Sequence, residues 1–487
     1  LEGPIIKDKA SFIVSGRRTY ADLFLKLNSD PAVRDNTLYF YDFNAKVNYE
    51  INENNRVFVS AYYGKDVFKN PDFKMMWGNS TLTTRWNHLF SKKLFSNFTI
   101  LYSKFDYELG VPEGSSSSFE WIANLKDYGA RADFTYYLNT NNTLKFGTSA
   151  TFHNFIPGTA RGLGSEAFLT EYEVENNNAL ESAIYASNEQ KIGSRLIAKY
   201  GLRFSHFVNV GYSTIYNYDD HYELVDSTVY GKGEFFSPYY GLEPRLGLTY
   251  LLNEFSSIKA SYSRTRQYIH LAQNSTAGTP LDIWFPSSPN VKPQIADQVA
   301  LGYFRNFRHN TIETSVEGYY KKFNNAVDFK DHAELLLNKL FEGELRFGEG
   351  QAYGLEFFFR YEIKKFSGWV SYTLSRTERR TSTPYVEDGI NKNQTYLASW
   401  DKPHNVAIVM NYNLSQRLIM GATWVYNTGS AVTFPVGRIQ VGNEYIPIFS
   451  ERNGYRMPDY HRLDVSVTLL GKQKPGKNWN WDLNFSA

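Results

Sequence analysis

The chain has 487 residues, a formal net charge of +2, no Cys, and 17% aromatic residues, among them 37 Tyr and 36 Phe. That charge balance argues against an electrostatically driven nucleic-acid binder, and the lack of Cys excludes disulfides, thiolate chemistry and Cys-type metal sites. The 42% of hydrophobic residues include no apolar run approaching the roughly 18–20 residues of a membrane helix, but they suit a β-barrel, in which only alternate residues meet lipid.

Taken in order, the chain opens on LEGPI with no signal peptide. A bacterial membrane barrel needs one, so the membrane reading expects a mature fragment. Residues 1–5 read as the end of a strand, 7–9 as a turn and 11–18 as the next strand. Segment 38–50 alternates cleanly: Tyr39, Tyr41, Phe43, Ala45, Val47 and Tyr49 face one way, Asp42, Asn44, Lys46, Asn48 and Glu50 the other. A period of two means a strand with one dry and one wet face. Further segments are predicted at 57–65, 77–90, 95–107, 119–138, 144–155, 180–188, 196–207, 239–251, 258–267, 298–304 and 311–323. Four more lie between 351 and 428, and two, 460–470 and 479–487, close the chain. Residues 333–341, AELLLNKLF, read as a helix or as a strand-like extension within a loop.

These are about twenty segments, mostly in hairpin pairs, many near the 9–11 residues that a tilted strand needs to cross a bilayer. Their connections alternate. Short turns such as INENN, LNTNN and NLSQ follow one end, and long stretches (19–37, 157–178, 209–235, 269–296, 324–350) follow the other. Turns at one end and long loops at the other predict an all-β fold, a transmembrane antiparallel barrel of the outer-membrane kind, rather than a soluble sandwich with short strands. The aromatic pairs Tyr39/Tyr41, Tyr62/Tyr63, Trp77/Trp86, Tyr239/Tyr240 and Tyr319/Tyr320 predict interfacial girdles, with β-propensity as the alternative reason for any single residue.

Several stretches, taken together, resemble the barrel of TonB-dependent outer-membrane receptors, particularly those of Bacteroidetes. They are LEGPIIKDKASFIVSGRRTY, SYSRTRQYIHLAQNS, GQAYGLEFF, GWVSYTLSRTERR, DKPHNVAIVMNYNLS and MPDYHRLDVSV. The resemblance covers nearly the whole of residues 1–487. It implies a barrel of about 22 strands, of which about 20 are expected here. It also implies an N-terminal plug, a TonB-box segment and last C-terminal strands outside this chain. The implied function is active uptake of a scarce solute across the outer membrane, with TonB as energy-coupling partner, outer-membrane lipids around the barrel, and no cofactor. A passive porin-like channel and a structural barrel in a surface complex, for example beneath a lipoprotein, are the other readings.

No HExxH, GxSxG, Walker or CxxC pattern is present, so no enzyme is expected. Asp219, Asp220, His221, Glu223 and Asp226 share one loop and suit hard-ion ligation or, more simply, a solvated acidic loop; Asp331, His332 and Glu334 read the same way. Glu356, Arg360 and Arg376 read as inward residues lining a path or neutralising one another. In receptors of the resembled family the outer loops and the plug apex contact the solute. The long aromatic loop 268–293 therefore offers Tyr268, His270, Trp284 and Phe285 for stacking, or for folding the loop onto its neighbours. Arg264 and Arg266 on the strand below are offered to attract an anionic solute, with Arg264 or Arg266 expected to face inward.

Overall fold

Each alternating segment finds its partner in the next one along the chain. The computed structural model describes residues 1–487 except 115, 166, 168–169, 273–282, 336, 443 and 473–480. Its main sheet has 22 strands. Two of these are short additions, Glu171–Val174 and Tyr396–Leu397. The other strands are β1 (Glu2–Ile6), β2 (Ala10–Arg18), β3 (Thr37–Asn52), β4 (Asn55–Lys69), β5 (Lys74–Leu89), β6 (Leu94–Val111) and β7 (Phe119–Asn139). They continue with β8 (Asn142–Gly162), β9 (Asn177–Ile192), β10 (Leu196–Val210), β11 (Phe235–Asn253), β12 (Ser256–Gln267), β13 (Gln294–Phe307) and β14 (Ile312–Phe329). The last are β15 (Leu345–Ile363), β16 (Phe366–Thr381), β17 (His404–Asn413), β18 (Leu418–Asn427), β19 (Tyr460–Leu470) and β20 (Asp482–Ser486). Each pairs antiparallel with its neighbours in the chain, as in the β3–β4 and β15–β16 ladders, with β1 paired to β2 and β20 to β19.

Several strands run past their expected bounds: β8 has 21 residues where 144–155 is expected, and β15 has 19, beginning at Leu345 rather than 351, whereas β7 matches its expected 119–138 closely. The additional residues lie mainly toward the long connections. There the outer face has left the apolar band while residues such as Trp121 and Leu345 are buried beneath the loops, so the simple apolar/polar alternation stops before the ladder does. The expected helix at 333–341 is absent among the described residues; only a 3₁₀ turn, Phe341–Glu344, forms there. The helices are instead Ala21–Leu25 and Pro31–Arg34, in the connection after β2. The second is started by Pro31 in its first turn and by the Asp30 side chain, which accepts from Ala32 N at 3.0 Å.

Register carries one apolar face across the whole sheet. Val47 pairs with Val59, Ala61 with Leu82, Leu82 with Tyr102, Tyr102 with Tyr128 and Tyr128 with Phe152. Farther along, Ile184 pairs with Phe204, Leu301 with Gly318, Leu355 with Leu374, and Met420 with Val467. These large apolar side chains are exposed: Ile100 at 68%, Ile184 at 60%, Leu301 at 61%. A shift of one residue in any ladder would flip its set to the other face, so the apolar face itself fixes register.

The expected aromatic pairs divide between the faces. Tyr41 and Tyr63 meet on the apolar side with ring centroids 6.0 Å apart, and Tyr102 and Tyr128 at 5.3 Å. A second apolar-side row, Trp86, Phe98, Phe134 and Phe146, stacks nearer the short turns. By alternation Tyr62, Trp77, Tyr239 and Tyr319 lie on the opposite, polar face. Two aromatic rows bounding an apolar band is the arrangement that two membrane interfaces select.

Candidate functional site

The polar face is covered at the long-connection end by its own loops. The loop after β12 forms a hairpin, Ile269–Ala272 against Ile283–Pro286. The run from Ile283 to Pro293 then crosses the sheet as a strap. Two clusters hold it. Tyr268 stacks on Phe207 at 5.1 Å, beside Phe155 and Ala179. Ile283, Phe285 and Val291 pack against Tyr107, Leu109 and Trp121 of the β6–β7 wall, and against Leu335 and Leu345 near β15. The strap thus touches strands far apart in the sheet.

Hydrogen bonds finish the attachment. Asn209 Nδ2 donates to Ser287 O at 2.9 Å, and Tyr239 Oη to Ser288 O at 2.6 Å. Asn325 Nδ2 donates to Pro293 O at 3.0 Å. Asn290 Nδ2 reaches both Tyr216 O at 2.8 Å and the Glu342 carboxylate at 2.6 Å, tying three loops together. Burial holds the Glu342 carboxyl above its ordinary range, and the hydrogen bonds from Asn290 and Ser288 oppose that shift. None of Asn209, Asn290 or Asn325 stands out in the sequence; each acquires its role only when the fold brings distant loops together.

The sequence-derived site residues divide in this setting. Tyr268, His270 and Phe285 are buried at 2–3% exposure. They serve the packing alternative: Tyr268 Oη shares a 2.8 Å hydrogen bond with Ser205, and His270 Nε2 a 3.1 Å one with Ser287. Burial lowers the His270 pKa to about 4, so the ring is neutral near pH 7. Trp284 is half-buried against the Phe207 cluster. Arg266 lies close against Gly241, near Ser205.

Arg264 lies outward. It shares the face of Tyr262, which pairs with Val299 on the apolar side. Its guanidinium donates to Asp297 at 2.8 and 3.0 Å, and Tyr262 Oη donates to the same carboxylate at 2.8 Å. Arg376 likewise lies outward, opposite Tyr353 and beside Glu378 at 3.1 Å. Alternation from Tyr262 and Leu374 fixes both facings. Both residues therefore stand above the apolar band rather than inside. Arg360 is on the polar side and is neutralised by Glu313 at 3.4 Å and Glu362 at 2.7 Å.

Two cavities flank the strap. One, of about 890 Å³, is bounded by Phe329, Trp400, Phe449, Arg379 and Arg452. Its charges are paired: Asp328 takes Arg379 at 3.1 Å, Arg452 at 3.2 Å and Tyr396 Oη at 2.7 Å, while Asp331 takes Arg452 at 2.8 Å. The other, of about 840 Å³, lies between Glu175, Tyr216, Lys339 and Glu342. Among the described residues no group of three or more His, Asp or Glu is placed to hold a metal ion. In the acidic loop, the Asp219 carboxylate accepts from His221 N and Glu223 N, and His221 pairs with Asp388.

A sheet of this size, with an apolar belt on one face and loops gathered over the other, defines a β-barrel protein of the bacterial outer membrane. Residues 12–487 match the model of the family described as TonB dependent receptor-like, beta-barrel. The chain belongs to that family and crosses the outer membrane with its strands. Among curated protein sequences none matches. Solved structures that are similar include the ferric-catecholate import receptor Fiu from K12 E. coli, at 14% identity and TM-score 0.65. That match covers 99% of this chain and 74% of the receptor. The copper transporter OprC is similar at 10% identity and TM-score 0.65, over 95% of this chain and 68% of that one. The FpvAI–pyocin S2 complex is similar at 12% identity and TM-score 0.64, over 96% and 64%. At these identities the likeness shows the fold. The chain spans just under two thirds to about three quarters of the length of these structures.

Proposed function

We propose that residues 1–487 are the barrel portion of a TonB-dependent importer of a scarce solute. In this reading the sheet closes on itself, and the polar face becomes the lumen. TonB engages a plug and TonB-box segment outside these residues. The observation that carries the reading is the strap: a loop pinned across the polar face by Asn209, Tyr239 and Asn325 from separate elements and by its own Asn290, between two cavities of several hundred Å³. An open pore would gain nothing from it. Among the similar structures are a ferric-catecholate import receptor and a copper transporter, which supports a solute-import reading. In the larger cavity the arginines are balanced by Asp328 and Asp331 and lie over the rings of Phe329 and Trp400, with Phe449 beside them; this mixed aromatic lining suits a solute with an apolar or ring-bearing face.

One observation favours the surface-complex reading alongside it. The hairpin Pro435–Val441 with Glu444–Phe449 is exposed along its length, including Ile439 at 50% and Tyr445 at 58%. Such a projecting apolar ribbon suits a protein partner.

The experiment is uptake of a panel of labelled iron chelates, copper and vitamins by intact cells, with and without TonB. Deleting residues 274–280, the loop tip outside the described residues, should leave assembly intact and impair uptake of the panel member that is imported. Shortening 110–117 should not. Equal uptake with and without TonB would replace the importer by the passive channel.

A further inference from the structure

The smaller cavity beside the strap, of about 840 Å³, lies between two strand edges. Glu171–Val174 pairs on one side only, with residues 158–161. Ser213–Tyr218 pairs only with Leu224–Tyr230, in a ladder separate from the main sheet. At one corner side chains join the two edges: Thr214 N donates to the Glu175 carboxylate at 2.8 Å, and Ser213 Oγ to Asn177 at 2.9 Å. The third side is the connection before β15, where Lys339 lies over the Tyr172 ring at 5.0 Å and Leu340 O accepts from Tyr218 Oη at 3.2 Å. In an antiparallel strand the N–H and C=O of one residue point to the same side, and those of the next residue to the other. Thr214 N meets Glu175, and Tyr216 O accepts from Asn290 at 2.8 Å. The backbone at 214 and 216 therefore faces the cavity, which leaves the Tyr216 N–H and the Thr214 carbonyl there without a ladder partner. Asn176 Oδ1, in the same lining, is buried and has no hydrogen-bond partner among the described residues.

We infer that this cavity binds a short extended peptide, which adds to the Ser213–Tyr218 edge as a further strand. The Tyr216 N–H and the Thr214 carbonyl pair with the peptide backbone, and Asn176 Oδ1 accepts an N–H from its other side. An unpaired edge selects this occupant because it offers donors and acceptors at the repeat of a strand, about 3.3 Å per residue, which a second main chain matches and a compact chelate or ring does not. The charges suit an occupant with two ionised ends. Lys232 and Lys339 line the cavity with no ion pair among the described residues, available to a carboxylate, and Glu173 is available to an amine. This inference names the substrate class of the importer proposed above; it rests on that reading for transport but not for binding.

The test is peptide binding to the intact detergent-purified protein, measured by native mass spectrometry. The probes are a mixed-sequence pentapeptide library and the same library N-methylated at alternate peptide bonds. The plain library should bind. The N-methylated one keeps its side chains and termini but loses strand-pairing donors, and should bind about tenfold more weakly or worse. Tyr216→Ala removes the ring and keeps the cavity-side N–H, whereas Tyr216→Pro removes both, and proline is tolerated on an edge strand. The proline variant should therefore bind about tenfold more weakly than the alanine variant. Heat-modifiable migration should confirm that both are folded. Equal binding of the two libraries, equal binding by the two variants, or no bound peptide at all would overturn the site. The importer reading fails separately. Peptide that binds the purified protein as described but enters cells equally with and without TonB would keep the site and remove the importer, whereas TonB-dependent uptake of a chelate by a protein that binds no peptide would remove the site alone.

Discussion

The membrane facing of the sheet makes a quantitative prediction at β3. Tyr41 belongs to the tyrosine row near one interface, and Val47 lies six residues farther along the same face, paired with Phe12 and Val59. At about 3.3 Å per residue and a tilt near 40°, that is roughly 15 Å of depth, close to the middle of the apolar band. Val47→Arg therefore places a charge near the midplane and should cost about 2–4 kcal/mol. Phe43, one step from Tyr41, lies near the interface, so Phe43→Arg should cost only about 0–1 kcal/mol. On the other face, Lys46 shows that charge is tolerated at the same depth. Asn44→Arg and Asn48→Arg should each change stability by about 0.5 kcal/mol or less. The assay is reversible refolding into lipid vesicles against denaturant, with the free-energy differences taken at matched slopes. Equal penalties for Val47→Arg and Asn48→Arg would refute the facing of β3 and, through the continuous register, of the sheet.

Three further outcomes follow from the strap. His270 has a folded pKa of about 4 against 6.5 for the free ring, so the unfolded loop binds a proton more readily. Its contribution is fully present above pH 6.5 and is lost as pH falls toward 4, by at most about 3 kcal/mol. Glu342, held high by burial, acts in the opposite direction. The His270 contribution is therefore read as the difference between the unaltered chain and His270→Gln in hydrogen exchange of residues 283–293; parallel pH profiles would contradict it. Asn290→Ala removes the bonds to Tyr216 and Glu342 and should loosen the strap locally by about 1–3 kcal/mol, seen as faster proteolysis of 283–293 with an unchanged refolding midpoint. Ser205→Ala removes the partner of Tyr268 Oη and should raise exchange at 268–272 more than in β12.

Much of the wall is legible in the sequence because a strand with one lipid face must alternate. Segment 38–50 shows this, and its register partners continue it around the sheet. What the sequence leaves out is what alternation cannot encode. The upper ends of β8 and β15 have left the apolar band on one face and are packed under loops on the other, so their periodicity disappears although their ladders continue. Arg264 and Arg376 look like inward charges until parity is counted from Tyr262 and Leu374; an arginine just above the apolar band obeys the same alternation as a valine within it. The aromatic loop after β12 is visible, but its use is not. Tyr268 and Phe285 find partners in Phe207 and Trp121, more than sixty residues away or across the sheet. The strap's polar anchors are single asparagines, with no local pattern to mark them.

The central claim is that the end carrying the strap and its two cavities faces outside, where solute is first met. Because the chain has no Cys, single cysteines report on topology without background. Gln440→Cys lies on the exposed hairpin of the long-connection end, and Asn141→Cys lies in the turn between β7 and β8. Intact cells treated with a membrane-impermeant thiol reagent should label the first and spare the second until the outer membrane is permeabilised. Labelling of Asn141→Cys alone would invert the topology and place the strap on the periplasmic side, contradicting the account.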